Sequence, residues 1–275
     1  MLDGLRVGFI GAGAMAEAML RGLGGSGAVF TASDPDPARR AKMEADHGAS
    51  PAADNRALVD GAEMVILAVK PQVAPAVLDE VDSAFRPGQI LLSIVAGLPL
   101  ARLGRGLPPG VGLIRAMPNA PALINAGVTG VSLAGRHAGE REAALGALAP
   151  LGRVVFLPEH LLDAVTGLSG SGPAYVAVFA EALIEAGVKN GLARPAATEL
   201  ALHTILGAAL MLTGGEAPSA LRERVTSPGG TTSFGLYALE RGGFRAAVIE
   251  AVSAAAERAA FLGRGYQPDT RGERA

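Results

Sequence analysis

Two rhythms of apolar and polar positions divide the chain. Up to about Leu157, short apolar or β-branched runs alternate with helical ones. Arg6–Ile10 predicts a first strand and Ala14–Leu23 a helix; residues 28–32 predict a second strand and Pro37–His47 a second helix. Residues 64–69 form a continuous apolar run, which suits a strand buried on both faces of a parallel sheet. Residues 90–95, 112–114, 128–133 and 154–156 predict further strands, with helical stretches near 73–84 and 139–151. Such alternation implies right-handed crossovers and a mainly parallel, doubly wound α/β sheet.

Beyond Leu157 the strand signals stop. Tyr175, Val176, Phe179, Leu183 and Ile184 share one stripe of a helix that Pro173 can open. Glu181, Glu185 and Lys189, four residues apart, mark its solvated face. Residues 195–212 and 244–262 predict two more long helices. Apolar side chains cover so wide an arc of these helices that more than one face must be buried, and a second copy of the chain is the expected cover. The pattern predicts an α/β domain over 1–158, an all-α domain over 159–264, and a frayed Gly-, Arg- and Pro-rich tail over 265–275.

Composition narrows the chemistry. The 275 residues carry 24 basic and 26 acidic side chains, a net charge of −2, so no basic surplus speaks for a nucleic-acid partner. The absence of cysteine excludes disulfides, thiolate catalysis and zinc–thiolate sites. His47, His137, His160 and His203 lack metal-ligand spacing, and no metal is expected. No apolar run approaches the ~18 residues of a membrane span. The expectation is a cytoplasmic protein with no membrane partner.

The first strand leads into Gly11-Ala12-Gly13-Ala14-Met15-Ala16 and then a helix, the setting in which a dinucleotide pyrophosphate is bound. Asp34 follows the second strand, where an acid ordinarily binds the ribose 2′-hydroxyl and repels a 2′-phosphate. Ser33, Arg39 and Arg40 are close enough in sequence to build a phosphate site, so NADH and NADPH both stay open. Ala68-Val69-Lys70-Pro71 ends a later strand, and Ser93 to Gly97, with Ala96, another; such strand ends line the cofactor crevice. Asn119, near Pro118 and Pro121, is placed either to position nicotinamide or substrate or simply to form a turn. In the helical half, Ser227-Pro228-Gly229-Gly230-Thr231-Thr232 opens a helix whose unpaired N–H groups make a pocket for a small anion.

The run from Leu221 to Phe244 closely resembles the signature of pyrroline-5-carboxylate reductase. The resemblance extends over nearly the whole chain, through the glycine fingerprint, Asn55, residues 67–72, 93–97 and 115–122, and D-A-V-T-G-L-S-G-S-G-P-A-Y over 163–175. It implies a Rossmann domain followed by helical domains that interlock in a homodimer, often built into larger rings. It also implies reduction of 1-pyrroline-5-carboxylate to proline with NADPH or NADH. By the same resemblance, Gly11, Gly13, Ala14, Met15, Ser33, Asp34 and Asn55 serve the cofactor, with Ala68 to Pro71 and Ala96. Ser227, Gly229, Gly230 and Thr232 hold the substrate, Thr232 reaching the ring nitrogen, and Glu216 matches an acid near the site; Asn119 joins the expected substrate residues on its own setting between prolines.

Three alternatives compete. A β-hydroxyacid or related imine reductase shares the domain order, but hydroxyacid oxidation needs a helix Lys with an Asn four residues on; Lys189 is followed directly by Asn190, and position 193 is Ala193. Gly167-Leu168-Ser169-Gly170-Ser171 comes near a hydrolase elbow but lacks the last glycine. A non-enzymic dinucleotide-binding regulator would have no need of the Ser227–Thr232 pocket.

Overall fold

The computed structural model describes residues 2–264, so the tail predicted over 265–275 lies outside the described residues. The chain forms two compact units, one built from Met1–Ser171 with the C-terminal stretch from Ala254, the other from Gly172–Ser253.

In the first unit the elements run β1 (Arg6–Ile10), α1 (Ala14–Leu23), β2 (Val29–Ser33), α2 (Pro37–His47), β3 (Ser50–Pro51), α3 (Asn55–Gly61), β4 (Met64–Leu67) and α4 (Ala74–Val81). They continue as β5 (Ile90–Ser93), α5 (Leu100–Leu103), β6 (Gly112–Met117), β7 (Gly127–Leu133), α6 (Glu140–Leu148), β8 (Gly152–Phe156) and α7 (Leu162–Val165). The strands make one sheet in the order β3-β2-β1-β4-β5-β6-β7-β8. All neighbours are parallel except β6 and β7, which pair antiparallel. The order reverses at β1, which opens a crevice between the ends of β1 and β4.

Successive strand residues point to opposite faces. Phe9, Ile66 and Leu92 therefore enter one apolar cluster, with Met19, Leu20 and Leu23 of α1. Ile10, Leu67 and Leu91 enter another, with Leu58 of α3 and Leu78 of α4. Burying side chains of this size contributes about 1.5–3 kcal/mol each. Burial on both faces is why residues 64–69 read as a strand.

Several elements differ from expectation. The strand predicted over 112–114 continues to Met117, hidden in the sequence by Arg115; its buried guanidinium is paired with Glu159 at 3.1 Å and Asp163 at 3.3 Å. The short α3, α5 and β3 give too few residues for a period to show. α3 is started by Asp54, whose carboxylate accepts from the Ala57 N–H at 2.8 Å. The residue pattern changes at Leu157, and the first compact unit runs through Ser171. Leu162 is buried there, and Val165 packs so close to β7 that a Cβ at Gly130 would meet its Cγ1 at 2.8 Å.

The second unit holds α8 (Gly172–Lys189), α9 (Arg194–Thr213), α10 (Pro218–Arg224), α11 (Thr231–Arg241) and the start of α12 (Phe244–Arg264). The rings of Phe179 and Phe244 lie 5.9 Å apart, and the Tyr175 hydroxyl donates to the Ala251 carbonyl at 3.2 Å. Of α8 to α12 only Ala180, Ala197, Ala201 and Ala259 are buried. Large apolar side chains stay uncovered, among them Leu210 (63% exposed) and Phe234 (72%). Among the described residues, α9 alone is long and apolar enough to cross a membrane by length and composition. Glu199 and His203 interrupt its apolar pattern and hide its length in the sequence.

Candidate active site

The loop between β1 and α1 is shaped for close approach. Gly11 has φ +101°, and a Cβ there would meet the Ala68 carbonyl oxygen at 2.6 Å. Only glycine passes between the ends of β1 and β4 at this point. Gly13 precedes α1 in extended conformation, no side chain caps the helix, and a Cβ there would meet open space. An uncapped helix start with free room before it fits a pyrophosphate.

Beside this loop lies a cavity of about 590 Å³. Its wall includes Gly11, Gly13, Ser33, Asp34, Asn55, Ala68, Val69 and Lys70, all predicted for the cofactor, together with Arg39 and Arg40. Ala14, Met15, Pro71 and Ala96 are not among its lining residues; Ala14 and Met15 open α1, and Ala96 follows β5. The Ser33 hydroxyl donates to Asn55 Oδ1 at 2.8 Å, and Asn55 Nδ2 donates to Glu80 Oε2 at 3.0 Å. Asn55 thus joins β2 to α4 across the cavity wall. A glycine cradle, an apolar side from Val69, Val73 and Val77, and polar groups at the end of β2 together fit a dinucleotide.

Asn119 is nearly buried, and its Oδ1 accepts from the Val128 N–H at 3.0 Å. The turn-forming alternative thus has a definite bond, fixing the start of β7. The motif over 163–175 holds a feature that residue patterns did not reveal: Thr166–Gly170 is a π-helical turn, closed by the Ser171 N–H on the Thr166 carbonyl at 2.9 Å. Such turns recur at functional sites. A Cβ at Gly170 would meet Met117 Cε at 2.8 Å, so the glycine lets this motif pack against the end of β6.

In the second unit, Ser227 to Gly230 form the turn before α11. Gly229 has φ +67°, which favours glycine. A Cβ at Gly230 would overlap Ser227 Oγ, so this glycine makes room for the serine hydroxyl. The Gly230 N–H donates to the Ser227 carbonyl at 3.0 Å, and no side chain caps the first turn of α11, where Thr231 and Thr232 stand. Glu216, in the loop before α10, is held by Arg224 Nη2 at 2.8 Å. The residue period gave no sign of that ion pair, which ties the two ends of α10 together.

Two family profiles match the chain. One, described as pyrroline-5-carboxylate reductase dimerisation, covers residues 159–262. The other, described as NADP oxidoreductase, coenzyme F420-dependent, covers 6–97. Over 266 residues the chain is 43% identical to pyrroline-5-carboxylate reductase 3 of Danio rerio, covering 94% of this chain and 92% of that one. The chain belongs to the pyrroline-5-carboxylate reductase family. The reductase of Synechocystis sp. is 42% identical, covering 94% of this chain and 99% of that one. A crystal structure of Plasmodium falciparum pyrroline carboxylate reductase with NADP bound superimposes with a TM-score of 0.84 at 29% identity, covering 96% of this chain and all of that one. The Rossmann-like sheet and helical dimerisation domain expected from the resemblance are those of this family, and a chain carrying that domain oligomerises.

Proposed function

We propose that this chain catalyses the reaction for which its family is named, reduction of 1-pyrroline-5-carboxylate to proline by hydride transfer from NAD(P)H, the last step of proline biosynthesis. The observation that carries the reading is the presence, in one chain of this family, of the glycine cradle at Gly11 and the uncapped Ser227–Thr232 helix start.

Residues 1–158 serve the cofactor and 159–264 the substrate and the dimer. The loop from Gly11 to Met15 takes the pyrophosphate, Ser33, Asp34 and Asn55 shape the adenosine end, and Ala68 to Pro71 with Ala96 border the crevice. Bound NAD(P)H supplies the hydride. Ser227, with the unpaired N–H groups of the first turn of α11 that Gly229 and Gly230 lead into, holds the substrate carboxylate. The Thr232 hydroxyl bonds the ring nitrogen, Asn119 is assigned to the substrate as well, and Glu216, fixed by Arg224, keeps a negative charge near the iminium. A cyclic imine is readily protonated, and the iminium accepts hydride without a strong enzymic acid, so these residues act mainly by positioning. The exposed apolar faces of α8 to α12 pair with a second protomer, dimers join into a ring, and the partner, not lipid, covers α9; the profile match over 159–262 supports this reading. The enzyme works in the cytoplasm.

Thr232→Ala tests the substrate role. Turnover is expected to fall at least about tenfold, the equivalent of one hydrogen bond of about 1.4 kcal/mol, while the Kd for NADPH stays unchanged. Unchanged turnover would remove Thr232 from the mechanism.

A further inference from the structure

We infer that Glu159 is a positioning residue for hydride transfer: its carboxylate ties the Leu100 N–H to Arg115 and so fixes the loop between β5 and α5, against which the nicotinamide end of the cofactor rests. The inference rests on the reading that the first unit holds NAD(P)H, with Ala96 at the crevice. The sheet order says why this loop matters. With the adenosine end at β2 and the pyrophosphate at the glycine loop after β1, the other end of an extended dinucleotide runs across β4 towards β5. Neighbouring strands lie about 4.8 Å apart, so β5 is only about 10 Å from β1.

The loop cannot hold itself. Ile94, Val95, Ala96, Gly97, Leu98 and Pro99 carry no polar side chain. Its first end is fixed to the sheet: the Ile94 N–H donates to the Leu67 carbonyl at 3.1 Å, and the Val95 N–H to Ser93 Oγ at 3.2 Å. At the far end α5 has only four residues, and its cap, Pro99, makes no side-chain bond to them. The Leu100 N–H is taken instead by Glu159 Oε1, 59 residues along the chain, at 2.6 Å. The same oxygen accepts from Arg115 Nη1 at 3.1 Å, and Arg115 Nη2 donates to Asp163 Oδ1 at 3.3 Å. Arg115 is buried and stands opposite Ser93 in the register of β5 and β6. Glu159 thus fastens the far end of the loop to the same strands that carry its near end, through charge-assisted bonds. Asp163, the first residue of the run over 163–175, is the second anchor of Arg115.

The middle of the loop rests on the last turn of α12. Gly97 has φ +74°, and a Cβ built on Gly263 would stand 3.0 Å from the Gly97 carbonyl oxygen. A cavity of about 230 Å³ adjoins the loop, with Gly97, Pro99, Arg115, Glu159 and Asp163 in its wall. Removal of the Glu159 carboxylate leaves the loop room to sink. A misplacement of about 1 Å in the bound geometry can cost about 100-fold in rate.

The test compares Glu159→Ala, Glu159→Gln and Gly263→Ala with the wild type, all as full-length protein. Turnover of 1-pyrroline-5-carboxylate is measured at saturating concentration of whichever of NADPH and NADH the wild type binds more tightly. The Tm is measured too, with the Kd for the matching fragment without nicotinamide, 2′-phospho-ADP-ribose or ADP-ribose. Glu159→Ala should lower kcat at least about tenfold and leave the fragment Kd within about twofold. Glu159→Gln keeps an oxygen that accepts from Leu100 and should bring kcat back to within about threefold of wild type. Gly263→Ala favours the helix, so its Tm should not fall, yet it presses on Gly97 and should lower kcat at least about threefold. An unchanged kcat in Glu159→Ala, or in Gly263→Ala where the Glu159 variant does not fold, would overturn the inference. So would a loss of kcat matched by equal weakening of the fragment, which marks general damage to the cofactor cavity. A wild type that neither binds the fragment nor turns over would remove the cofactor reading itself, and the inference with it.

Discussion

Gly230→Ala isolates one interaction in the turn before α11. Gly230 sits at φ −76° and ψ 168°, extended backbone that any residue adopts, so alanine adds no backbone strain. The added Cβ overlaps Ser227 Oγ and reaches 3.1 Å from the Ser227 carbonyl oxygen. The carbonyl contact is tight but tolerable; the hydroxyl is the free end of a side chain and must rotate away. The variant therefore folds but lacks the Ser227 hydroxyl at the anion pocket. A hydrogen bond to a charged group contributes about 1.5–3 kcal/mol, which corresponds to about a 10- to 150-fold loss of affinity for the substrate carboxylate. Steady-state kinetics should show KM for 1-pyrroline-5-carboxylate rising by that factor, with the Kd for NADPH and the Tm unchanged. Ser227→Ala should give a similar loss, and the double variant should lose little more. An unchanged KM would refute the assignment of Ser227 to the carboxylate. A fall in Tm of many degrees would refute the claim that the backbone accommodates the change.

Other expectations follow from the same geometry. Glu140 is buried and accepts from the N–H groups of Leu113 (3.0 Å), Gly135 (2.7 Å), Arg136 (2.9 Å) and His137 (3.2 Å), so Glu140→Ala should cost about 3 kcal/mol in urea unfolding; a loss below about 1 kcal/mol would contradict the role. Lys42 bonds Glu17 on α1 and Asp46 at 2.8 Å, and this ammonium holds the Glu17 carboxyl below its ordinary value of 4.5. A depressed folded pKa gives stability that is present above the unfolded value and lost as pH falls through the folded one, so the Tm difference between wild type and Lys42→Gln should shrink below pH 4.5; a difference growing towards acid would reverse the sign. Leu206→Asp with Leu210→Asp, on the exposed face of α9, should shift the sedimenting species towards monomer, and an unchanged mass would place the interface elsewhere.

Much of the fold is legible because the central strands are buried on both faces. Residues 64–67 and 90–93 can be read straight from their apolar runs. Arg115 masks the end of β6 because its charge is neutralised by Glu159 and Asp163, residues far along the chain. The glycine loop is legible for a steric reason, since the φ of +101° at Gly11 excludes a Cβ. The conformation of Asp34 is not legible, because its decisive partner, the Ala12 N–H, lies 22 residues away. The hold of Arg224 on Glu216 depends likewise on how α10 folds back, and the π turn at 166–170 on a single shifted hydrogen bond. Where function depends on backbone N–H groups, side-chain identity alone carries little of the signal.

The central claim is tested most directly by the initial rate of NADPH and NADH oxidation with 1-pyrroline-5-carboxylate, with the product assayed as proline. The account predicts saturable oxidation of cofactor with one proline formed for each cofactor oxidised. Tight cofactor binding without oxidation, or oxidation without proline, would contradict it.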